Sequence, residues 1–202
     1  MIVIIDYGMG NVGSIQNILK KFTEDVVISS NHEMIEKATK LILPGVGSFD
    51  NGMKNLKSFN LLNILNEKVV IEKIPVLGIC LGMQLLTKRS EEGVLPGLAW
   101  IDAETVKFDF EKNKLKIPHM GWNLVYVNKQ NKLLDNMYEE TRFYFVHSYY
   151  IKCNNKEDVI LKTNYGLDFA SAVNKENIYG VQFHPEKSHK FGLQLLKNFV
   201  EI

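Results

Sequence analysis

Residues 74–84 read Ile74-Pro75-Val76-Leu77-Gly78-Ile79-Cys80-Leu81-Gly82-Met83-Gln84. The apolar run Pro75–Ile79 has the composition of a buried strand, and Gly82–Lys88 behind it reads as a helix. Between them a cysteine has a glycine two residues before it and another two after it. This is the form of a nucleophile elbow with cysteine in place of serine. A strand turning sharply into a helix forces the corner residue into a strained backbone conformation. The flanking glycines remove β-carbons that would collide in so tight a turn. The sulfur then stands at a helix N-terminus, where the dipole favours the thiolate. An isolated cysteine is better read as a small core residue. The glycine pair and the strand–helix context favour the nucleophile.

The same strand–helix alternation extends toward the N-terminus. Ile2–Ile5 reads as a buried strand, Asp6-Tyr7-Gly8-Met9-Gly10-Asn11 as a glycine-rich turn, and Val12–Phe22 as a helix with apolar residues at Ile15, Ile18, Leu19 and Phe22. Val26–Ile28 is a second strand and Asn31–Ala38 a short helix. Leu41–Leu43 is a third strand, broken by Pro44-Gly45-Val46-Gly47, and Phe49–Val70 is mostly helical. Toward the C-terminus the pattern changes. Thr105–Phe110, Leu124–Val127, Phe143–Ile151, Val159–Thr163 and Phe169–Val173 have β-type composition, which predicts antiparallel strands and hairpins. Glu186–Val200 closes the chain as a helix with an apolar face at Phe191, Leu195, Leu196 and Phe199. The expectation is an α/β fold: a doubly wound, mainly parallel central sheet, helices on both faces, and an added antiparallel β region in the C-terminal half. One domain over residues 1–202 suits this length.

Composition narrows the function classes. Apolar residues make up 46% and charged residues 23%, with a formal net charge of +1. That gives no electrostatic case for nucleic acid or an anionic membrane. Charged runs such as Glu111-Lys112-Asn113-Lys114 read as solvated loops. The two cysteines, Cys80 and Cys153, argue against a disulfide framework. The first residues carry no signal-peptide pattern, and Ile74–Leu86 is too short to span a bilayer, so the expected location is the cytoplasm.

A thiolate needs a base and an orienting group. Gly180-Val181-Gln182-Phe183-His184-Pro185-Glu186 supplies both. An apolar strand ends at His184, and Glu186 follows closely enough to reach the far imidazole nitrogen and fix its tautomer. The Pro44–Gly47 loop ends another strand on the same sheet edge, where it can offer backbone N–H groups to an oxyanion. Glu186 and His189 are spaced like half a metal site, but no Cys/His cluster supports a metal, and none is expected. Gly8-Met9-Gly10-Asn11-Val12-Gly13 fits a dinucleotide fingerprint, yet the next strand ends Ser29-Ser30-Asn31 with no acid for a ribose. An α/β-hydrolase would place its acid before the histidine, the reverse of the order here. No cofactor is expected.

Taken in order, these segments resemble the class I (triad) glutamine amidotransferases. With Ser90-Glu91-Glu92-Gly93, Pro118-His119-Met120-Gly121-Trp122-Asn123 and Tyr144-Phe145-Val146-His147-Ser148-Tyr149, nearly the whole chain is similar to the glutaminase subunits of imidazole glycerol phosphate synthases of histidine biosynthesis. The resemblance implies that Cys80 attacks L-glutamine, His184 moves the protons and Glu186 orients His184. It implies an oxyanion hole from the N–H of Leu81 and one from Val46 or Gly47. Gly47, Gln84, Ser148 and Tyr149 become substrate-binding positions; without the resemblance, Gln84 reads equally well as a solvated helix residue. The implied partner is a barrel-shaped cyclase, joined as a heterodimer, that takes up the ammonia and makes imidazole glycerol phosphate and AICAR. A sugar-modifying amidotransferase of surface-polysaccharide synthesis is the alternative recipient. Asn11, Met120, Trp122 and Lys187 are the expected interface, with Trp122 as an anchor if exposed and a core residue otherwise.

Overall fold

A computed structural model describes residues 1–110 and 115–202. The run Glu111–Lys114, read above as a solvated loop, lies outside them. The first half alternates β1 (Ile2–Ile5), α1 (Val12–Leu19), β2 (Val26–Ser29), α2 (His32–Glu36), β3 (Lys40–Gly45), α3 (Phe49–Ser58), α4 (Leu61–Asn66), β4 (Val76–Cys80) and α5 (Leu81–Leu85). The second half is β5 (Ala103–Lys107), β6 (His119–Leu124), β7 (Tyr126–Val127), β8 (Arg142–His147), β9 (Tyr149–Cys153), β10 (Val159–Asn164), β11 (Asp168–Lys175) and β12 (Ile178–Val181), closed by α6 (His189–Glu201).

The sheet runs β2-β1-β3-β4-β12-β11-β10-β7, with β9 joined to β11 and β5 joined to β9. From β2 to β12 the neighbours are parallel; from β12 outward they are antiparallel. A separate antiparallel ribbon pairs β6 with β8. Strand alternation divides the aliphatic residues between the two faces. Val3, Ile5, Leu41 and Leu43 pack against α3, α4 and α5 on one side. Ile2, Ile4, Ile42 and Leu77 pack against α1 and α6 on the other. This is the doubly wound arrangement expected from the sequence, with the antiparallel extension in the predicted half.

Several boundaries differ from the expectation, each for a physical reason. The third strand does not stop at Leu43 but runs through Pro44 to Gly45. Leu41 N–H bonds the Pro75 carbonyl on the β4 side, so alternation turns Pro44 toward β1. The β1 pairing ends at Ile42, and a proline there forfeits no ladder bond. The helical stretch after Phe49 is interrupted at Asn60, which adopts φ 58°. A 3₁₀ turn over Pro185–Lys187 precedes the last helix, which begins at His189. Ser148 splits the predicted segment 143–151 into β8 and β9, and the segment from His119 to Asn123 is itself strand. No helix among the described residues is long and apolar enough to cross a membrane.

The closest packing occurs where β4 turns into α5. A β-carbon on Gly82 would stand 1.7 Å from the Leu43 carbonyl oxygen, whereas one on Gly13 in α1 would meet nothing within 4 Å. Gly82→Ala is therefore expected to lower the melting temperature by about 6–12 °C, the effect of about 3 kcal/mol in a chain of this size. Gly13→Ala is expected to leave it unchanged or raise it by about 2–4 °C, as helix propensity favours alanine by up to about 1 kcal/mol. Thermal scans of the two variants check this.

Candidate active site

Parallel register brings the ends of three strands to one edge. Gly45 of β3 pairs with Cys80 of β4, and Val181 of β12 pairs with Ile79. Cys80 joins β4 to α5 at φ 54°, ψ −111°, a conformation that side chains rarely adopt. Strain of this kind costs about 1–3 kcal/mol. Burial of its neighbours Ile79 and Leu81, at about 1.5–3 kcal/mol each, is enough to hold the corner. Three residues past the end of β12, His184 is anchored by its N–H to the Tyr144 carbonyl, 2.9 Å. Ser188 Oγ donates to the His184 carbonyl at 2.6 Å and accepts the Tyr144 N–H at 3.0 Å. His184 Nδ1 meets Glu186 Oε1 at 2.8 Å, with both side chains 3% exposed. Among the described residues His184 Nε2 has no hydrogen-bond partner.

Two kinds of buried histidine line this region. Burial alone would make His184 less basic, but the Cys80 sulfur and the Glu186 carboxylate outweigh it and raise His184 to about 10. His147 is lowered to about 3, chiefly by burial, and His119 to about 4 by burial. The two neutral rings are hydrogen-bonded to each other, His119 Nδ1 to His147 Nε2 at 2.9 Å. Burial, then the Asp158 and Asp102 charges, push the Cys153 thiol up to about 12. The two cysteines thus differ sharply in surroundings, as their sequence contexts indicated.

A cleft of about 300 Å³ opens at this edge, lined by Val46, Gly47, Cys80, Leu81, Gln84, Glu92, Ser148, Tyr149 and His184 among others. Gln84 is buried, which overturns its reading as a solvated helix residue. Its Nε2 donates to the Tyr149 carbonyl at 3.1 Å and to Gln182 Oε1 at 3.0 Å, which leaves only Oε1 for a ligand. The Tyr149 carbonyl also receives His147 Nδ1–H at 2.7 Å, so its two lone pairs are engaged. Asn11 does not line the cleft; its side chain caps α1 through the Ser14 N–H, 3.2 Å. Met120 and Trp122 are 61% and 42% exposed, which overturns the core reading of Trp122. Trp122 stacks on His189 at 5.4 Å and 7°, and Lys187 Nζ lies over the Tyr144 ring at 5.8 Å. A second cleft of about 360 Å³, lined in part by Asn177 and Ile178, lies at the opposite edge, and its lysines are engaged: Lys175 with the Trp100 carbonyl, Lys73 with Glu176.

Sequence reasoning missed Glu92, Gln182 and Tyr7 as members of this region. Glu92 lies on the cleft wall, with Oε2 accepting the Phe49 N–H at 2.8 Å. Tyr7 is buried and donates its hydroxyl to the Pro44 carbonyl at 2.6 Å, fastening the strand end that carries Val46 and Gly47. Both residues lie inside segments quoted above, but only their neighbours across the fold show what they touch.

These protonation states have opposite consequences for stability. His119 and His147 fall below their ordinary value of 6.5, so below that pH the unfolded chain binds protons that the folded chain refuses. Their contribution is complete above pH 6.5 and declines toward pH 4. The His184 contribution is complete below pH 6.5 and is lost as pH rises through about 10. Ring-nitrogen NMR at pH 7 is expected to show His184 protonated on both nitrogens and His119 and His147 neutral, with the melting temperature falling between pH 6.5 and pH 4.

Comparison with known proteins agrees with this geometry. The family model described as glutamine amidotransferase class-I matches residues 3–202. The imidazole glycerol phosphate synthase subunit HisH 2 of Methanococcus maripaludis is 63% identical over 201 residues, covering 100% of this chain and 99% of that one. Its namesake in Pseudomonas aeruginosa is 52% identical over 202 residues, with both chains fully covered. A crystal structure of a glutamine amidotransferase aligns with TM-score 0.75 at 17% identity, covering 98% of this chain and 97% of that one. A glutamine amidotransferase from Thermotoga maritima aligns with TM-score 0.72 at 16% identity, covering 99% of this chain and 96% of that one. The chain belongs to the class I glutamine amidotransferase family.

Proposed function

We propose that residues 1–202 form one glutaminase domain that hydrolyses L-glutamine through a thioester on Cys80 and delivers the ammonia to a cyclase partner, as a subunit of an imidazole glycerol phosphate synthase in the cytoplasm. The observation that carries this reading is the strained Cys80 corner standing beside the His184–Glu186 pair at 2.8 Å.

The raised basicity of His184 means that the site rests as an imidazolium beside the Cys80 sulfur. Sγ attacks the side-chain amide carbon of glutamine. The tetrahedral oxyanion is held by the N–H of Leu81, at the start of α5, and one from Val46 or Gly47, which continue β3 past the Gly45–Cys80 pair. The imidazolium gives its proton to the departing ammonia, and the thioester remains. His184 then takes a proton from water, which attacks the thioester carbonyl and releases glutamate. Glu186 orients the ring throughout. Gly47, Gln84 Oε1 and the Ser148–Tyr149 wall are suited to the substrate, and the Glu92 carboxylate offers charge to its α-ammonium.

Ammonia released to water would largely protonate and lose its nucleophilicity, which favours direct transfer to a partner. Exposed Met120 and Trp122 on β6, with Lys187 and Asn11 nearby on the same edge, form the proposed docking face for the barrel-shaped cyclase. The relatives' names favour this partner over a sugar-modifying amidotransferase.

Cys80→Ala is expected to abolish glutamate release while ammonia-dependent turnover by the partner survives. Glu186→Gln is expected to keep the fold and slow glutaminase turnover by about 10²–10³-fold. Glutamate release in the complex, beside the ammonia-driven rate, checks both. Replacing Trp122 by Ala and Lys187 by Glu together is expected to weaken association by about 30-fold, the scale of one lost hot spot. Titration of the cyclase with the doubly substituted chain checks the face, and unchanged affinity rejects it.

A further inference from the structure

Gln182 takes no part in the mechanism above, yet it sits against the nucleophile. The β12–β4 register ends at Val181 opposite Ile79, so the next residues, Gln182 and Cys80, stand side by side. The Gln182 side chain is fully buried, and its Nε2 lies 3.7 Å from Cys80 Sγ, within reach of an N–H···S bond.

The orientation of that amide follows from its neighbours. The Tyr149 carbonyl can only accept, so the Gln84 atom bonded to it is nitrogen. The same nitrogen donates to Gln182, so the atom it meets there is Oε1. Gln182 Nε2 must then face the sulfur. The chain continues outward from the same carbonyl, which receives His147 Nδ1–H. His147 Nε2 in turn accepts from His119 Nδ1, and His119 Nε2 accepts from Asn123 Nδ2 at 3.1 Å. Every acceptor in this series requires a neutral ring, and a neutral ring is the form that burial imposes. A buried network with all its members satisfied admits one orientation for each.

We propose that Gln182 is a positioning residue that donates its Nε2–H to the Cys80 thiolate, holding the sulfur as an anion aimed into the cleft. A hydrogen bond to the charged form of a group favours that form. An amide donor suits the task because it carries no charge and cannot compete with His184 for the thiolate's proton. The inference rests on the reading of Cys80 as the nucleophile, and its test separates the two.

The full chain is alkylated with iodoacetamide across a range of pH, and labelling at Cys80 and Cys153 is followed by mass spectrometry. Gln182→Met removes the donor at similar volume. Gln182→Glu removes it while keeping an acceptor for Gln84, so it stays informative if the methionine variant loses its fold. Both variants are expected to move the Cys80 profile toward alkaline pH by about one unit or more, a tenfold loss of rate below the midpoint. Gln182→Glu moves further because its charge opposes the thiolate, and Cys153 labelling stays as it was. An unchanged Cys80 profile in the folded Gln182→Glu chain overturns the assignment and leaves the nucleophile intact. A wild-type chain in which Cys80 reacts no faster than Cys153 at pH 7 overturns both.

Discussion

The candidate site is built around one strained residue, Cys80, held at φ 54° between a strand and a helix. Nothing in its own side chain favours that conformation. It is imposed by parallel pairing of β4 with β3 on one side and β12 on the other, and by the absence of a β-carbon on Gly82, where α5 presses on the Leu43 carbonyl. The same pairing delivers everything else the site needs. β3 carries Val46 and Gly47 past the cysteine, and β12 delivers Gln182 and then His184. Loosening the corner would therefore misplace Cys80, His184 and the Val46–Gly47 backbone together, since all three are referred to the same three strands.

Electrostatics then separates groups of the same type. His184 and His147 are both buried and line one cleft, yet they move in opposite directions. Desolvation acts on both against the charged form. His184 has a sulfur and a carboxylate beside it, and these exceed the desolvation. For His147 burial prevails over the Tyr149 carbonyl, and the imidazoles of His119 and His184 add to it. The protein thus keeps a charged ring beside Cys80 and a neutral, mutually hydrogen-bonded pair in the wall, without changing residue type.

The legibility of the sequence divides along the range of the forces involved. Ile2–Ile5, the glycine-flanked Cys80 and the apolar face of the last helix are local patterns, and they were readable as such. The elbow and the His184–Glu186 spacing were readable because strained turns and short-range orienting pairs leave strict marks on composition. What escaped depends on partners distant in sequence. Pro44 reads as a strand breaker until β1 is known to stop short of it. Gln84 reads equally well from its spacing as a solvated residue or a binding one, and its burial shows only once Tyr149 and Gln182 close over it. The segment from His119 to Leu124 alternates in the reverse sense, with Met120, Trp122 and Leu124 turned outward and the polar His119 buried, so its apolar residues do not mark a core face. The break at Asn60, by contrast, falls on a residue type that tolerates the left-handed conformation and often ends helices, a local signal that the apolar spacing on either side masked.

The central claim is that a covalent bond forms between glutamine and the sulfur at the β4–α5 corner. The most direct measurement is to mix the partner-bound chain with glutamine, quench in acid within the turnover time, digest, and locate the adduct by mass spectrometry. The account predicts a glutamyl thioester on the peptide carrying Cys80, removed by hydroxylamine. Glutamate released at an undiminished rate with no adduct at Cys80, or with the adduct at another residue, would contradict it.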